Sequence, residues 1–344
     1  SLRMVAVAAV AVLLLWPEAL VGPSFQMSFA AVLAIVALHT SAPVRAFLAP
    51  REESWLARAG RRALMLLLTG VVIELALMPI VLFHFHRAGV YGALANVLAI
   101  PLVTFVSMPL EALALLLDAV GLGAPVWWLV GKSLELLLWI AHTTAGQPGA
   151  VKLMPQMGWA TFALFIAGGL WIALWRGRER LFGFAPVVLA TGMLVATPVP
   201  DLLVSGDGRH VGITGEGAPL LVLRDTRSDF ARENLLELAG VEGEPVALAG
   251  WPGARCSADF CVVGIERGGR EWQVLMSRSR NRIEERALAA ACERADIVVS
   301  DRWLPRSCVP RELRADLRML SETGGLALLL RSDGIGVATV AAAQ

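Results

Sequence analysis

In stretches otherwise made of Leu, Val, Ala and Ile stand Gln26, Glu74, Asn96, Glu111, Lys132 and Glu135. An ionisable side chain in an apolar solvent is costly, and such residues are functional candidates by default. Lys132 offers a cation to a phosphate, while Gln26, Ser28 and Asn96 offer hydrogen bonds. Glu74 and Glu111 repel phosphate, so proton coupling or structural pairing suits them better. A competing reading applies to all of them: Gln, Asn and Ser commonly bond across neighbouring helices, and Lys132 and Glu135, three apart on a helix, can pair with each other.

Elsewhere the chemistry is thinner. His84 and His86 share one face of an extended loop and read as a metal or pH-sensing pair. Two ligands are not a site, however, and with Arg87 beside them an exposed polar rim is the simpler account. Farther along, Asp207, His210, Asp225 and Asp301 either cluster near strand ends or mark surface turns. Arg278, Arg280 and Arg282 alternate and would share one face of an extended strand, as a phosphate-binding stripe or as a solvated face. All four cysteines, Cys256, Cys261, Cys292 and Cys308, lie in the C-terminal part. In an oxidising compartment an even count favours disulfides, and chain order makes Cys256–Cys261 and Cys292–Cys308 the easiest to close. Zinc is the rival, but this spacing with no nearby His is a poor match to zinc patterns.

The elements that must position these groups are membrane spans. Seven apolar stretches run over Leu2–Leu20, Ser24–Thr40, Ala63–Phe83, Tyr91–Leu117, Pro125–His142, Gly158–Trp175 and Phe182–Val199. Each is close to the roughly 20 residues that cross about 30 Å of hydrocarbon. Alternate loops collect Arg3, then Arg45, Arg51, Arg58, Arg61 and Arg62, then Arg176, Arg178 and Arg180, against only Arg87 and Lys152 on the other side. The positive-inside rule puts the Arg-rich loops in the cytoplasm and everything after Val199 on the far side. Trp127, Trp128, Trp159, Trp171 and Trp175 fall near span ends as interface anchors. Arg3 followed by Met4–Leu15 imitates a signal peptide, but Trp16-Pro17-Glu18 offers no small-residue cleavage site. The chain opens at Ser1, already at the membrane boundary, and is expected to be part of a longer protein.

Composition supports a divided chain. With 56% hydrophobic and 17% charged residues over its 344 residues, and a mean hydropathy of +0.64, it is too apolar for one soluble globule, and the net charge of +1 points to no particular partner. Residues 201–344 nevertheless hold 18 Arg and Lys against 21 Asp and Glu, a formal charge of −3, as a water-exposed domain would. Strands are expected at Asp201–Ser205, His210–Thr214, Pro219–Arg224, Cys261–Ile265, Glu271–Met276, Asp296–Ser300, Leu326–Leu330 and Gly334–Val340. Helices are expected at Asp229–Ala239, Ile283–Arg294 and Arg311–Ser321, with turns at Gly206-Asp207-Gly208 and Gly268-Gly269.

Prolines add a further clue, since interrupted backbone is tolerated in a membrane only where protein or a water-filled cavity covers it. Pro101 and Pro109 interrupt Tyr91–Leu117, which would be about 40 Å long as one helix, so a broken or strongly tilted helix is expected. Pro79 bends the end of the third span.

Two segments carry a family resemblance. Pro23-Ser24-Phe25-Gln26-Met27-Ser28-Phe29-Ala30-Ala31-Val32 resembles the G-F-Q-L-S-F-x-A-V helix of the ComEC family, with Ser24 where Gly is usual. Tyr91-Gly92-Ala93-Leu94-Ala95-Asn96-Val97-Leu98-Ala99-Ile100-Pro101-Leu102-Val103 resembles that family's Y-x-x-x-x-N-x-x-A-x-P-L-V segment, with a matching approach from Leu77-Met78-Pro79-Ile80 to His84-Phe85-His86. The family is the inner-membrane channel of bacterial DNA uptake, and the likeness covers nearly the whole chain. It implies passage of single-stranded DNA, and a path for such a strand needs polar or cationic lining, for which the residues' own chemistry offers Gln26, Ser28, Asn96 and Lys132, with Glu111 suited to proton coupling or structural pairing. It also implies a periplasmic DNA receptor, a cytoplasmic helicase or single-strand-binding protein, the lipid bilayer and a possible homo-oligomer as partners. By position, the tail resembles a shortened form of the metallo-β-lactamase-like domain that ends many ComEC proteins. Active relatives bind zinc through H-x-H-x-D-H and hydrolyse esters with a metal-activated water. That motif is absent and His210 is the tail's single histidine, so a degenerate, non-catalytic domain without metal is expected.

The sequence therefore reads as a polytopic α-helical membrane domain, residues 1–199, followed by a soluble extracytoplasmic α/β domain, residues 200–344. Its expected activity is translocation of single-stranded DNA across the bacterial inner membrane during transformation, without a cofactor and with energy supplied elsewhere, since no P-loop is present. One alternative is a small-solute or lipid-linked transporter with a midplane charge pair such as Glu111 and Lys132. Another is a membrane-anchored hydrolase acting through the tail.

Overall fold

The computed structural model describes residues 2–89, 91–154, 156–175, 177–225 and 228–343; Arg176, counted above among the basic loop residues, lies outside the described residues. The chain parts into two compact units, Ser1–Lys152 with Met157–Val195, and Leu153–Gln156 with Ala196–Gln344.

The first unit is helical: α1 (Leu2–Leu15), α2 (Pro23–His39), α3 (Ala42–Leu48), α4 (Trp55–Phe85), α5 (Gly92–Leu102), α6 (Met108–Asp118), α7 (Ala124–Ala145), α8 (Trp159–Leu174) and α9 (Phe184–Val195), with short strands β1 (Arg87–Gly89) and β2 (Val151–Leu153). Proline opens α2, α3, α6 and α7 in the first turn, where its missing N–H costs nothing. Ser54 caps α4, its hydroxyl accepting the Ala57 N–H at 3.3 Å. Among the described residues three helices are long and apolar enough to cross a bilayer: α4, the run Gly92–Asp118, and α7. A fourth arises if α2 and α3, bent by 70° at Thr40-Ser41, count as one span. By contrast α1, α8 and α9 have 14, 16 and 12 residues, short of the roughly 20 that cross hydrocarbon. The long helices keep large apolar side chains on the surface, Leu116 being 72% exposed. Surface of that kind calls for an apolar solvent or partner.

The expected break in the fourth stretch takes a milder form. Gly92–Asp118 runs on as helix, but Val103–Ser107 is a π-turn in which the Met108 N–H reaches back to the Val103 carbonyl. Pro101 and Pro109 each remove an N–H that α-geometry would use, and the wider turn absorbs the mismatch while the helix continues. Pro79 likewise sits inside an uninterrupted α4.

The second unit is α/β: β3 (Leu202–Ser205), β4 (Val211–Ile213), β5 (Leu221–Val222), α10 (Asp229–Ala239), β6 (Val246–Ala247), β7 (Ala254–Cys256), β8 (Phe260–Arg267), β9 (Arg270–Ser277), α11 (Glu285–Arg294), β10 (Ile297–Val299), β11 (Leu313–Ala315), α12 (Leu317–Thr323), β12 (Gly325–Arg331), β13 (Gly334–Thr339) and α13 (Val340–Ala343). These make a six-stranded sheet, ordered β13-β12-β3-β4-β5-β6, and a five-stranded sheet, ordered β11-β10-β9-β8-β7. Leu202, Val204 and Ile213 from one sheet meet Val263, Trp272, Val274 and Ile297 from the other in a closed core. The outer faces are covered too: α10 packs Leu235 and Ala239 over Leu203 and Val222, and α11 packs Leu288 and Cys292 over Leu275 and Val298. Alternate residues Cys261, Val263 and Ile265 of β8 point into the core, the period-2 pattern of a strand with one buried face. β8 turns into β9 at Gly268-Gly269, where φ values of 60° and 76° suit glycine and a tight hairpin.

Two sequence expectations fail in this unit. Arg311–Ser321 is not one helix: Leu313–Ala315 joins β10 as a parallel strand, and Asp316, accepting the Met319 N–H, caps a helix that starts only at Leu317. Arg278, Arg280 and Arg282 are not on a strand either, because β9 ends at Ser277 and the chain turns away, tied by the Arg278 N–H to the Asp259 carbonyl.

Candidate functional site

Two of the polar candidates, Glu74 and Asn96, come together between α4 and α5. These helices approach closely because Gly70 faces Ala93: a Cβ on Gly70 would sit 3.4 Å from the Ala93 Cα. One turn farther along α4, Glu74 points at the start of α5, where its Oε2 accepts the Ala93 N–H at 2.9 Å. An interior carboxylate thus satisfies an unpaired donor in the first turn of another helix and complements its dipole. Between the two helices lies a cleft of about 270 Å³, lined mainly by apolar side chains including Leu66, Ile73, Leu77 and Val81, with Thr69, Glu74 and Asn96 as its polar groups. The Thr69 hydroxyl is spent on the Met65 carbonyl at 2.8 Å. The Asn96 amide has no side-chain hydrogen bond among the described residues, which leaves it the group on this wall with donor and acceptor both to offer.

The other sequence candidates sit apart from the cleft. Gln26 of α2 bridges helices: its Oε1 lies 2.9 Å from His84 Nε2 on α4, and its Nε2 donates to the Leu20 carbonyl at 3.0 Å. His84 therefore acts as a helix tie and not as half of a metal pair, while His86 is the left-handed cap of α4 at φ 55°. Phe83 stacks on Phe162 of α8 at 4.1 Å beside that tie. Ser28 is exposed on α2. Lys132 reaches Glu135 at 2.7 Å, an exposed i,i+3 pair, so the cation is engaged on its own helix and not with Glu111. Glu111 is half-buried on α6. One turn before it, the buried Ser107 hydroxyl in the π-turn has no hydrogen-bond partner. The sequence left the Glu74 cap and the π-turn unseen; the eight-residue spacing of Pro101 and Pro109 was the available signal for the latter.

In the tail, the four candidates do not converge as ligands, and among the described residues no three His, Cys, Asp or Glu side chains gather as a metal cage. Asp301, 2% exposed, instead holds the Arg224 guanidinium at 3.3 Å and accepts the Ser277 hydroxyl at 3.0 Å. Arg224 is further occupied by the carbonyls of Arg209 and Arg278 at 3.1 and 2.9 Å. Asp207 closes the β3–β4 turn. Burial pushes its carboxyl up, but hydrogen bonds from Ser205 and the Arg209 N–H, with the nearby His210 and Arg209, outweigh this and hold it below the usual carboxylate value. Asp225 is exposed. Cys256 pairs with Cys261 across the β7–β8 register, and Cys292 of α11 pairs with Cys308.

The family model described as Competence protein matches residues 1–179. The chain belongs to the Competence protein family. Both motif helices, α2 and α5, lie inside the matched segment, as the resemblance to ComEC proteins led one to expect. An Escherichia coli (strain K12) protein named "Uncharacterized protein YcaI" is 29% identical over 228 residues, which is 61% of this chain. The chain spans 28% of the length of that relative. No solved structure matches the chain significantly. Within the Competence family match, the α4–α5 cleft places the family-like Asn96 on a shared wall with Glu74.

Proposed function

We propose that this chain forms part of a channel that carries one strand of DNA across the bacterial inner membrane during DNA uptake. The observation that carries the reading is the Competence family match over the helical unit, where the α5 motif presents the uncommitted Asn96 amide on a mainly apolar cleft whose other polar side chains, Thr69 and Glu74, are already hydrogen-bonded. An amide of this kind can hydrogen-bond a sugar or base without holding it as a fixed charge would, which suits a moving polymer. The Lys132–Glu135 pair favours this over a compact solute site, because the Glu111–Lys132 pairing that such a site invoked gives way to a pair within α7. In this reading the seven apolar stretches are spans, the Arg-rich loops are cytoplasmic and the tail is periplasmic, where disulfides form. The tail is then a shortened, non-catalytic metallo-β-lactamase-like domain. Supporting it are the helix on each outer face of two packed sheets and the Arg224–Asp301 ion pair at the strand ends. Partners would be single-stranded DNA, a periplasmic receptor and a cytoplasmic helicase or single-strand-binding protein, with copies of the chain assembling in the bilayer.

The test is transformation with labelled duplex DNA in a competent host lacking its own channel gene and carrying the gene that encodes this chain. Label reaching the cytoplasm only when the gene is present is the expected result, with Asn96→Leu lowering uptake. Equal entry with and without the gene would discard the DNA reading.

A further inference from the structure

Two loops of the tail leave the five-stranded sheet side by side. Residues 278–284 follow β9 and residues 300–312 follow β10, and those strands are parallel neighbours. The loops are tied together: Arg280 Nε lies 3.5 Å from Asp301 Oδ2, and the Arg302 guanidinium donates to the Asn281 carbonyl. They carry Arg278, Arg280, Arg282, Arg302, Arg306 and Arg311. Most acids on or beside the loops are occupied: Asp301 by Arg224 and Arg280, Asp259 by Ser279 and Asn281, Glu285 by the Ser307 hydroxyl and Glu312 by Arg270, while Glu284 is exposed at the end of the first loop. In a domain of formal charge −3 this surface is locally basic.

On the same surface stands Trp303, 76% exposed, in a unit that buries Trp272 completely. The indole is not on a loose tip. Asp301 and Leu304 on either side are 2% and 8% exposed, and Cys308, joined to Cys292, closes the loop. A fixed aromatic face among cations is the chemistry that single-stranded nucleic acid meets, with bases stacking on the ring and phosphates on the arginines. A duplex hides its base faces, and insertion into a lipid surface would call for a broader apolar patch than one Trp with Val309. We propose that Trp303 and the arginines of these two loops form a binding surface for single-stranded nucleic acid, with Arg282 and Arg306 meeting phosphates beside the stacked base. This surface is a second place of contact with a strand, and binding there does not require that the helical unit conduct DNA.

The test uses the full chain in phosphatidylcholine nanodiscs and the fluorescence anisotropy of a labelled oligothymidylate of about 16 nucleotides at about 50 mM salt. The expected result is salt-dependent binding that Trp303→Ala weakens about tenfold and Trp303→Phe largely keeps. Arg282→Gln with Arg306→Gln should lower the slope of log K against log salt by about 1.4, the contribution of two phosphate contacts on a single strand. These side chains are exposed, so an unchanged unfolding temperature separates lost contact from lost fold. Absence of oligonucleotide binding, parent-like binding by the variants, or binding only to phosphatidylglycerol vesicles overturns the proposal. If the oligonucleotide binds and uptake in the transformation host does not depend on the gene, the channel reading falls alone. If uptake depends on the gene and the oligonucleotide does not bind, this one does.

Discussion

The two units are built for different solvents. The tail closes its core on itself, with Trp272, Leu202 and Ile297 fully buried between two sheets and a helix over each outer face. The helical unit differs: its long helices bury a few large side chains such as Met65, Ile80 and Leu82 beside small ones such as Ala114 and Ala93, and turn many of their Leu, Phe and Trp outward. In water, removing apolar area from solvent drives folding. In lipid that drive is absent between helices, and close approach by Gly and Ala with a few hydrogen bonds takes over. Gly70 against Ala93, the Glu74 cap and the Gln26–His84 tie are these contacts.

The sharpest way to break this contrast is to truncate a large side chain in each unit. Trp272→Ala should destabilise the tail by about 3–5 kcal/mol, whereas Leu116→Ala, exposed on α6, should change stability by less than about 0.5 kcal/mol, both read as thermal unfolding of the reconstituted chain. Comparable losses would mean that α6 is packed and not lipid-facing. Next in size, Cys292→Ser with Cys308→Ser should cost the tail about 3 kcal/mol, as expected for a loop of this length. Reductant, which opens Cys256–Cys261 as well, should cost the tail at least as much while leaving the proteolysis pattern of the helical unit unchanged. For the helical unit itself, Glu74→Ala should cost about 1 kcal/mol through the lost cap and dipole interaction and speed hydrogen exchange at Ala93. The smallest effect concerns Asp259, whose carboxyl is held below its ordinary value by hydrogen bonds from Ser279 and then Asn281. A lowered folded-state value means that its contribution is complete above the ordinary 3.8 and fades as pH falls through the folded value. Between about pH 5 and about pH 3 the parent should therefore lose slightly more unfolding temperature than Asp259→Asn.

Legibility in the sequence also divides along this line. Strand alternation in Cys261, Val263 and Ile265, the Gly268-Gly269 turn and the helix Asp229–Ala239 all speak through local pattern, and the structure has each of them. Val246–Ala247 and Ala254–Cys256 are too short to show a period, and Leu313–Ala315 hides in a helix-like run until Asp316 is recognised as a cap. In the helical unit the residue types that matter, Gln26, Glu74 and Asn96, stand out against the apolar background, but their partners do not. Glu74 meets Ala93 19 positions away and Gln26 meets His84 58 positions away, and no periodicity reports such pairings. Trp303 escaped attention because one Trp beside Leu304 and Pro305 resembles core sequence; only the buried flanks of its loop reveal that the ring faces out.

The π-turn at Val103–Ser107 has a geometric result of its own. One extra residue in a helical turn rotates everything after it by about 100°, the angle between successive residues of an α-helix. The azimuth of α6 is thereby set apart from that of α5, so a helical wheel drawn straight through Gly92–Asp118 misplaces the second half. Sliding the extra residue by one turn would re-index which side chains between the old and new positions face the neighbouring helices, with the ends of both helices left in place. Deleting one residue within 103–107 would straighten the phase, point Glu111 roughly a quarter-turn away from its present heading, and leave the cleft wall at Asn96 where it is.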